Sequence, residues 1–161
     1  MAVFTIGGRI VAAQLFHAQT WFLGLGRGDP QWDSTLVQPS PTLADLVDKV
    51  GVTRCREVAY VKPDEAGDIS MSDGAKFSRS DDPTRYLYLY FKLDLPDASP
   101  NTLRENGVYF GTALAAGIPA GQFYIDAADV ETWGTLIRAD RFNSIVRDGT
   151  IEQAFSMIIT L

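Results

Sequence analysis

The clearest pattern in the chain is a strict alternation over residues 86–95. Leu87, Leu89, Phe91, Leu93 and Leu95 fall on one face, and Tyr86, Tyr88, Tyr90, Lys92 and Asp94 on the other, which is the period of a β-strand. Residues 151–161 alternate similarly, with Ile151, Phe155, Met157, Ile159 and Leu161 on one side. An apolar end of this kind is expected to be tied into a sheet or an interface. Shorter strands are predicted at 21–26, 53–62, 107–111, 121–125 and 134–140, separated by turn-rich runs at 62–68, 73–83 and 96–101.

Helical spacing occurs near the start. Ile10, Val11, Gln14 and Leu15 predict a short amphipathic helix over 8–17 that ends near His17. A second helix is predicted after Thr42, because Leu43, Leu46, Val47 and Val50 share a helical face, Asp45 lies in the first turn and Gly51 follows the last. Between them, residues 27–41 carry Pro30, Pro39 and Pro41 together with Trp32, and read as an extended proline-rich arm. The expected fold is mainly β with two short N-terminal helices (α+β), a single β-sandwich-like domain over residues 1–161.

Composition narrows the function classes. The 161 residues carry a formal net charge of −6, one cysteine and one histidine. Cys55 alone can form neither an internal disulfide nor a cysteine-based zinc cluster, and the redox compartment stays open. The acidic balance, without a dense Lys/Arg block, argues against nucleic-acid binding, whose affinity comes largely from cations on phosphates. The apolar start is interrupted by Gly7, Gly8 and Arg9, unlike a signal peptide. No stretch has the roughly 18 apolar residues of a membrane span. A soluble protein made in the cytoplasm is expected.

Several short motifs invite chemistry. Gly24–Asp29 has the spacing G-x-G-x-G before a proline-rich loop, whereas a dinucleotide fingerprint needs G-x-G-x-x-G opening a helix; a structural turn is expected. The same holds for Arg27-Gly28-Asp29, an adhesion-type tripeptide that also suits a turn. His17, at a helix end, suits capping and the helix dipole better than catalysis. Cys55 between Arg54 and Arg56 is expected to be buried and unreactive, since strand neighbours face away from it. The pairs Asp64-Glu65, Asp81-Asp82 and Asp126 with Asp129 lack the density of a calcium loop, so solvated loop charges are expected. No catalytic, cofactor or metal residues are assigned. Tyr86, Tyr88 and Tyr90 form an amphipathic stripe, either the second face of a strand within the domain or an interface, where tyrosine is enriched.

Three segments together resemble a known group. FTIGGRIVAAQLFHAQTWFLGLGRGDP resembles the glycine-arginine helix, short link, strand and G-x-G-D opening of tail-collar fibre and baseplate proteins of tailed bacteriophages. NTLRENGVYFGTAL at 101–114 is similar to the "ireiGvf-G" segment of that group through Leu103, Arg104, Glu105, Gly107, Val108, Tyr109 and Gly111. Residues 134–161 resemble its closing pattern of strand, charged or neutral stretch and last alternating strand, and the 28–51 stretch resembles the arm and short helix of small baseplate-associated proteins. The resemblance implies an attachment module without a fibre shaft: a structural virion protein of the tail baseplate or its link to tail fibres. It would contact other tail or baseplate subunits and tail fibres in a symmetric multi-copy assembly, without being an enzyme. The interface residues expected are Trp32 and Leu36 in the arm, Tyr86, Tyr88 and Tyr90 on the strand, and Ile159 and Leu161. The alternatives are a carbohydrate- or receptor-binding β-sandwich and, within the first class, a neck or head–tail connector subunit.

Overall fold

Thr5 opens the first element. Its side-chain hydroxyl accepts the Gly8 N–H at 3.2 Å, and helix α1 runs Ile6–His17. In the computed structural model, which describes residues 1–161, nearly all other regular structure is strand. In chain order these are β1 (Trp21–Gly26), β2 (Lys49–Arg54), β3 (Glu57–Pro63), β4 (Ile69–Ser70), β5 (Lys76–Arg79), β6 (Tyr86–Leu93), β7 (Asn101–Phe110), β8 (Ala113–Leu114), β9 (Tyr124–Asp126), β10 (Val130–Thr132), β11 (Thr135–Arg147) and β12 (Gln153–Thr160). Single 3₁₀ turns occupy Pro30–Asp33 and Ala127–Asp129. The mainly β expectation holds, and no helix is long and apolar enough to cross a membrane.

The chain divides into two compact units. One comprises Met1–Gln19, Arg56–Phe91 and Phe155–Leu161; the other comprises Thr20–Cys55 and Lys92–Ala154. The first is organised by the sheet of strand order β12-β6-β3-β5-β4. Val61, Ile69, Phe77 and Tyr88 form a buried cluster there, with Met71, Tyr86, Tyr90 and Ile158 packed against it. Helix α1 belongs to this unit, and His17 is its last residue. The imidazole stacks on Tyr60 of β3 with ring centroids 4.5 Å apart and planes 12° from parallel, so the histidine expected at a helix end also anchors that end to the sheet.

The second unit contains the antiparallel sheet of order β11-β7-β1-β2-β9 and the small β8/β10 ladder. Phe22, Val52 and Ile125 form a buried cluster supported by Leu114, Ile118, Val130 and Trp133. In the two middle strands Gly24 and Gly107 stand directly opposite. A Cβ on Gly24 would lie 2.5 Å from the Tyr109 ring and 3.1 Å from Trp133; one on Gly107 would lie 2.4 Å from Leu136. These glycines make room for rings and a leucine. Gly24 and Gly26 therefore lie in β1, and only residues 27–29 of the expected Gly24–Asp29 turn leave the sheet. At the far end of β11, buried Arg147 donates to the carbonyls of Asp97 (3.1 Å), Asp94 (2.7 Å) and Ile151 (2.5 Å), fixing two loops at once.

Four further expectations are corrected. The second helix after Thr42 does not form: residues 42–48 are turn, bend and irregular backbone, and Lys49 already begins β2. Asp48 has φ of 53°, outside the right-handed helix. The backbone groups that a helix would pair go elsewhere, Arg27 N–H to the Asp48 carbonyl and Gly28 N–H to that of Val47. The face expected to be buried on α1 is also different. Ala13 is buried whereas Val11 and Leu15 are exposed, because the small Ala13 side chain permits close approach. Finally, β6 ends at Leu93, which leaves Leu95 exposed, and Cys55 is only half-buried.

The Gly24→Ala variant is expected to lose about 1–3 kcal/mol through overpacking against Tyr109. Urea denaturation would read this as a lower midpoint at unchanged slope. An unaltered midpoint would show that the Tyr109 ring can move aside.

Candidate interaction surfaces

The arm is built from its turn outward. Asp29 caps the 3₁₀ turn by accepting the Gln31 N–H at 2.9 Å, and Pro30 fixes the first position. Gly28 has φ of 64°, and a Cβ there would sit 2.4 Å from the Trp32 ring, so glycine is required both by backbone and by space. Arg27 donates to Asp48 and to Asn101, each at 2.8 Å. All three residues of the adhesion-type tripeptide are thus occupied in shaping this loop.

Two arginines from the sheet then hold the arm. Arg104 of β7 grips Asp33 with two parallel bonds of 2.9 Å and also reaches the Arg27 carbonyl at 3.0 Å. This bidentate geometry holds the Asp33 carboxyl below its ordinary pKa and the Arg104 guanidinium above its own. Arg141 of β11 lies 4.1 Å from the centre of the Trp32 ring, a cation–π distance, and donates to the Val37 carbonyl at 2.9 Å. The proline-rich segment is therefore tied back to its own unit and not extended away from it. Trp32 is half-buried under Arg141, while Leu36 and Val37 remain 37% and 50% exposed.

Behind Arg141 is Glu105, fully buried in β7 and directly opposite it in the β7/β11 register. One carboxylate oxygen faces the Arg141 Nε at 3.4 Å, and the other accepts the Val47 N–H. Burial raises the Glu105 pKa, outweighing the pull of Val47 and Arg141 in the other direction. Nearby, the buried Tyr109 hydroxyl donates to Asp45 at 2.5 Å, and Asp45 pairs with Lys49, whose ammonium lies 4.4 Å above the Trp133 ring. Burial works to raise the Asp45 pKa, but the bonds from Lys49, Tyr109 and the Leu46 N–H outweigh it and leave the carboxyl below its ordinary value. Burial and the Asp45 charge raise the Tyr109 pKa.

The other expected interface residues lie in the first unit. Tyr88 is 8% exposed, with the Arg79 guanidinium 5.7 Å from its ring and Tyr90 stacked 6.5 Å away. Arg79 is itself held by Glu57 at 2.6 and 3.0 Å. Tyr86 and Tyr90 stay half-exposed at the margin of the same cluster. Ile159 and Leu161 are half-buried, and the Leu161 N–H donates to the Arg85 carbonyl at 3.0 Å. The structure brings the tyrosines together into one patch and places Trp32 and Leu36 in another. Asp81, Asp82, Asp126 and Asp129 are exposed, as is Glu65, with Asp64 half-buried in a turn where it accepts the Ala66 N–H.

Arg104, Glu105 and Arg141 are the residues that hold the arm and its supporting strands, and the sequence did not single them out by role. Arg104 and Glu105 stood inside the phage-like segment, but their partners lie far off in sequence, Asp33 for Arg104 and Arg141 for Glu105. The available signal was a charged pair, Arg104 and Glu105, in the middle of a predominantly buried strand.

Arg141→Ala is expected to cost about 3 kcal/mol, since it leaves the buried Glu105 without its cation. Amide exchange should accelerate across residues 31–38 more than across β1; uniform exchange would mean the arm is held by other contacts. Glu105→Gln isolates the titration. The unfolded side chain titrates near 4.5 and the folded one higher, so the native state binds the extra proton in between and wild-type stability falls as pH rises through that interval. The deficit of Glu105→Gln relative to wild type should therefore be larger near pH 4 than near pH 7, as read from urea midpoints. A deficit that grew with pH would reverse the assignment.

Among curated proteins the sequence has no match. One family profile, described as "Baseplate wedge 3 tail fiber network component", matches residues 1–161. The chain belongs to this family, and is a structural protein of the bacteriophage tail baseplate.

Proposed function

We propose that this chain is a connecting subunit between the baseplate wedge and the tail fibres, working by protein–protein contact in several symmetry-related copies and without a catalytic step. The observation that carries the reading is the held arm. Arg104 and Arg141 fix its backbone, and its exposed side chains include the neighbouring apolar pair Leu36 and Val37. Ordering a loop costs about 1–2 kcal/mol per backbone residue. Here that cost is met during folding, so a partner subunit can bind without ordering the segment again.

The polar groups of the arm support the same reading. Asp29, Asp33 and the Val37 carbonyl are engaged with the protein's own residues. What remains for a neighbour includes the apolar pair Leu36 and Val37, flanked by the exposed side chains of Thr35 and Gln38. Symmetric assemblies use one such patch repeatedly. The tyrosine patch and the Ile159–Leu161 end are proposed as secondary contacts, since Tyr86, Tyr90, Ile159 and Leu161 keep part of their surface free.

The test is the pair Leu36→Asp and Val37→Asp, introduced together into the phage. The purified variant should unfold at the wild-type midpoint, because neither side chain is buried. Particles should show reduced occupancy of this subunit and of the fibres beyond it, scored by mass spectrometry and electron microscopy. Normal occupancy with both aspartates present would exclude the arm as the contact.

A further inference from the structure

The two five-stranded sheets have four edges, and three of them are blunted. β4 is two residues long and β9 three, and β9 ends at Asp126, where a 3₁₀ turn begins. β11 is long, but its register against β7 shifts after Leu136 and again after Arg141, and Arg138, Asp140 and Arg141 lie along it. Short length, irregular register and charge are the devices that keep an edge from pairing with another chain. β12 is different, with eight residues and neither charge nor proline between Gln153 and Leu161.

The direction of its backbone groups follows from one bond. β12 has β6 on one side only, and the Leu161 N–H donates to the Arg85 carbonyl at the start of β6. Alternate residues of an antiparallel strand bond the same neighbour. Counting back from Leu161 opposite Arg85, Phe155, Met157 and Ile159 turn their N–H and C=O toward β6, and Ser156 and Thr160 turn theirs outward. Ser156 hydrogen-bonds Tyr88 through its side chain and Ile158 packs against the Tyr88 cluster, as that count requires. Ser156 and Thr160 are both exposed.

We infer that the outer edge of β12 receives an extended strand from a different tail subunit, which continues the sheet. The inference rests on the connecting role proposed above and names one of its contacts. Outward N–H and C=O groups in a row select extended backbone, and the two faces select side chains. Phe155, Met157 and Ile159 continue the apolar face of Leu87, Leu89 and Phe91, so the incoming strand is apolar at alternate positions. Beside Ser156 and Thr160 it carries small hydroxyl side chains, which pair across strands. It is uncharged along this stretch, because β12 holds no charge to pair with one. A second copy of the chain is the poorer occupant, since each copy carries a net charge of −6 and the copies repel.

Proline at an outward position of an edge strand removes one free N–H and leaves the ladder to the inner neighbour intact. Ser156→Pro should therefore unfold near the wild-type midpoint. In the phage it should lower the occupancy of this subunit and of the fibres beyond it about three- to tenfold, the effect of one lost backbone bond. Ser156→Ala, which keeps the N–H and loses only the hydroxyl, should assemble like wild type. If Ser156→Pro does not fold, Thr160→Pro takes its place, with Thr160→Val as its control. Hydrogen exchange of peptides spanning 155–161 should be about tenfold slower in the particle than in the isolated chain. Equal exchange in the two, or normal occupancy with a folded proline variant, would overturn the inference. So would dimerisation of the isolated chain that the proline variant abolishes, because the occupant would then be a second copy. Occupancy lost with Leu36→Asp/Val37→Asp but kept with Ser156→Pro removes this contact and leaves the arm; the reverse pattern removes the arm and leaves the strand.

Discussion

The second unit is organised around a carboxylate with no access to water. Glu105 lies in β7, inside a five-stranded sheet, and a buried charge or polar acid must be given partners or destabilise the fold by several kcal/mol. Its two oxygens dictate what surrounds it. One takes the Val47 N–H, which removes that donor from any helix over 42–51. The other requires Arg141 across the β7/β11 ladder, which fixes the register of the longest strand. Gly26 must be glycine, since a Cβ there would lie 2.8 Å from the Glu105 side chain.

The same arginine carries the constraint to the surface. With one nitrogen committed to Glu105, the guanidinium spreads over Trp32 and reaches the Val37 carbonyl. Arg104, the preceding residue on β7, makes the bidentate pair with Asp33. A sheet interior and a surface arm are thereby one hydrogen-bonded system, and such a system loses more when one member is removed than the sum of its parts suggests. For the contact proposed for the arm this is a useful property, because a surface that keeps its shape loses less free energy on assembly. The first unit solves its own problem differently, by burying Tyr88 in a cluster with Phe77 while it stacks on Tyr90 beneath Arg79, and by seating α1 through Ala13 and His17 while Val11 and Leu15 stay exposed.

Much of the fold was legible because alternation and burial share a cause. Leu87, Leu89, Phe91 and Leu93 are all fully buried, and the strands expected near 21–26, 107–111, 121–125, 134–140 and 151–161 all exist, with boundaries displaced by a few residues, whereas the single strand expected at 53–62 is divided between β2 and β3 at Cys55 and Arg56. The helix over 8–17 was legible from spacing and its Thr5 cap extends it. The helix after Thr42 was misread, since Leu43, Leu46, Val47 and Val50 fit a helical face equally well. Leu46 and Val50 are indeed buried, but across a turn and the start of a strand. Of the expected surface residues, Trp32 and the tyrosines were found as aromatic side chains, yet what holds each of them could not be read.

By itself the sequence determined which stretches alternate, where glycine and proline interrupt them, the net charge, and the family-like segments that a family profile then matched along the whole chain. Those are properties of neighbours in the chain, and they survive translation into local geometry. Only the tertiary structure decided that Glu105 meets Arg141, that Val47 donates to a strand and not to a helix, and which face of α1 is covered. Each of these depends on groups far apart in sequence competing for the same hydrogen-bond donors and the same buried space, and local periodicity contains no record of that competition.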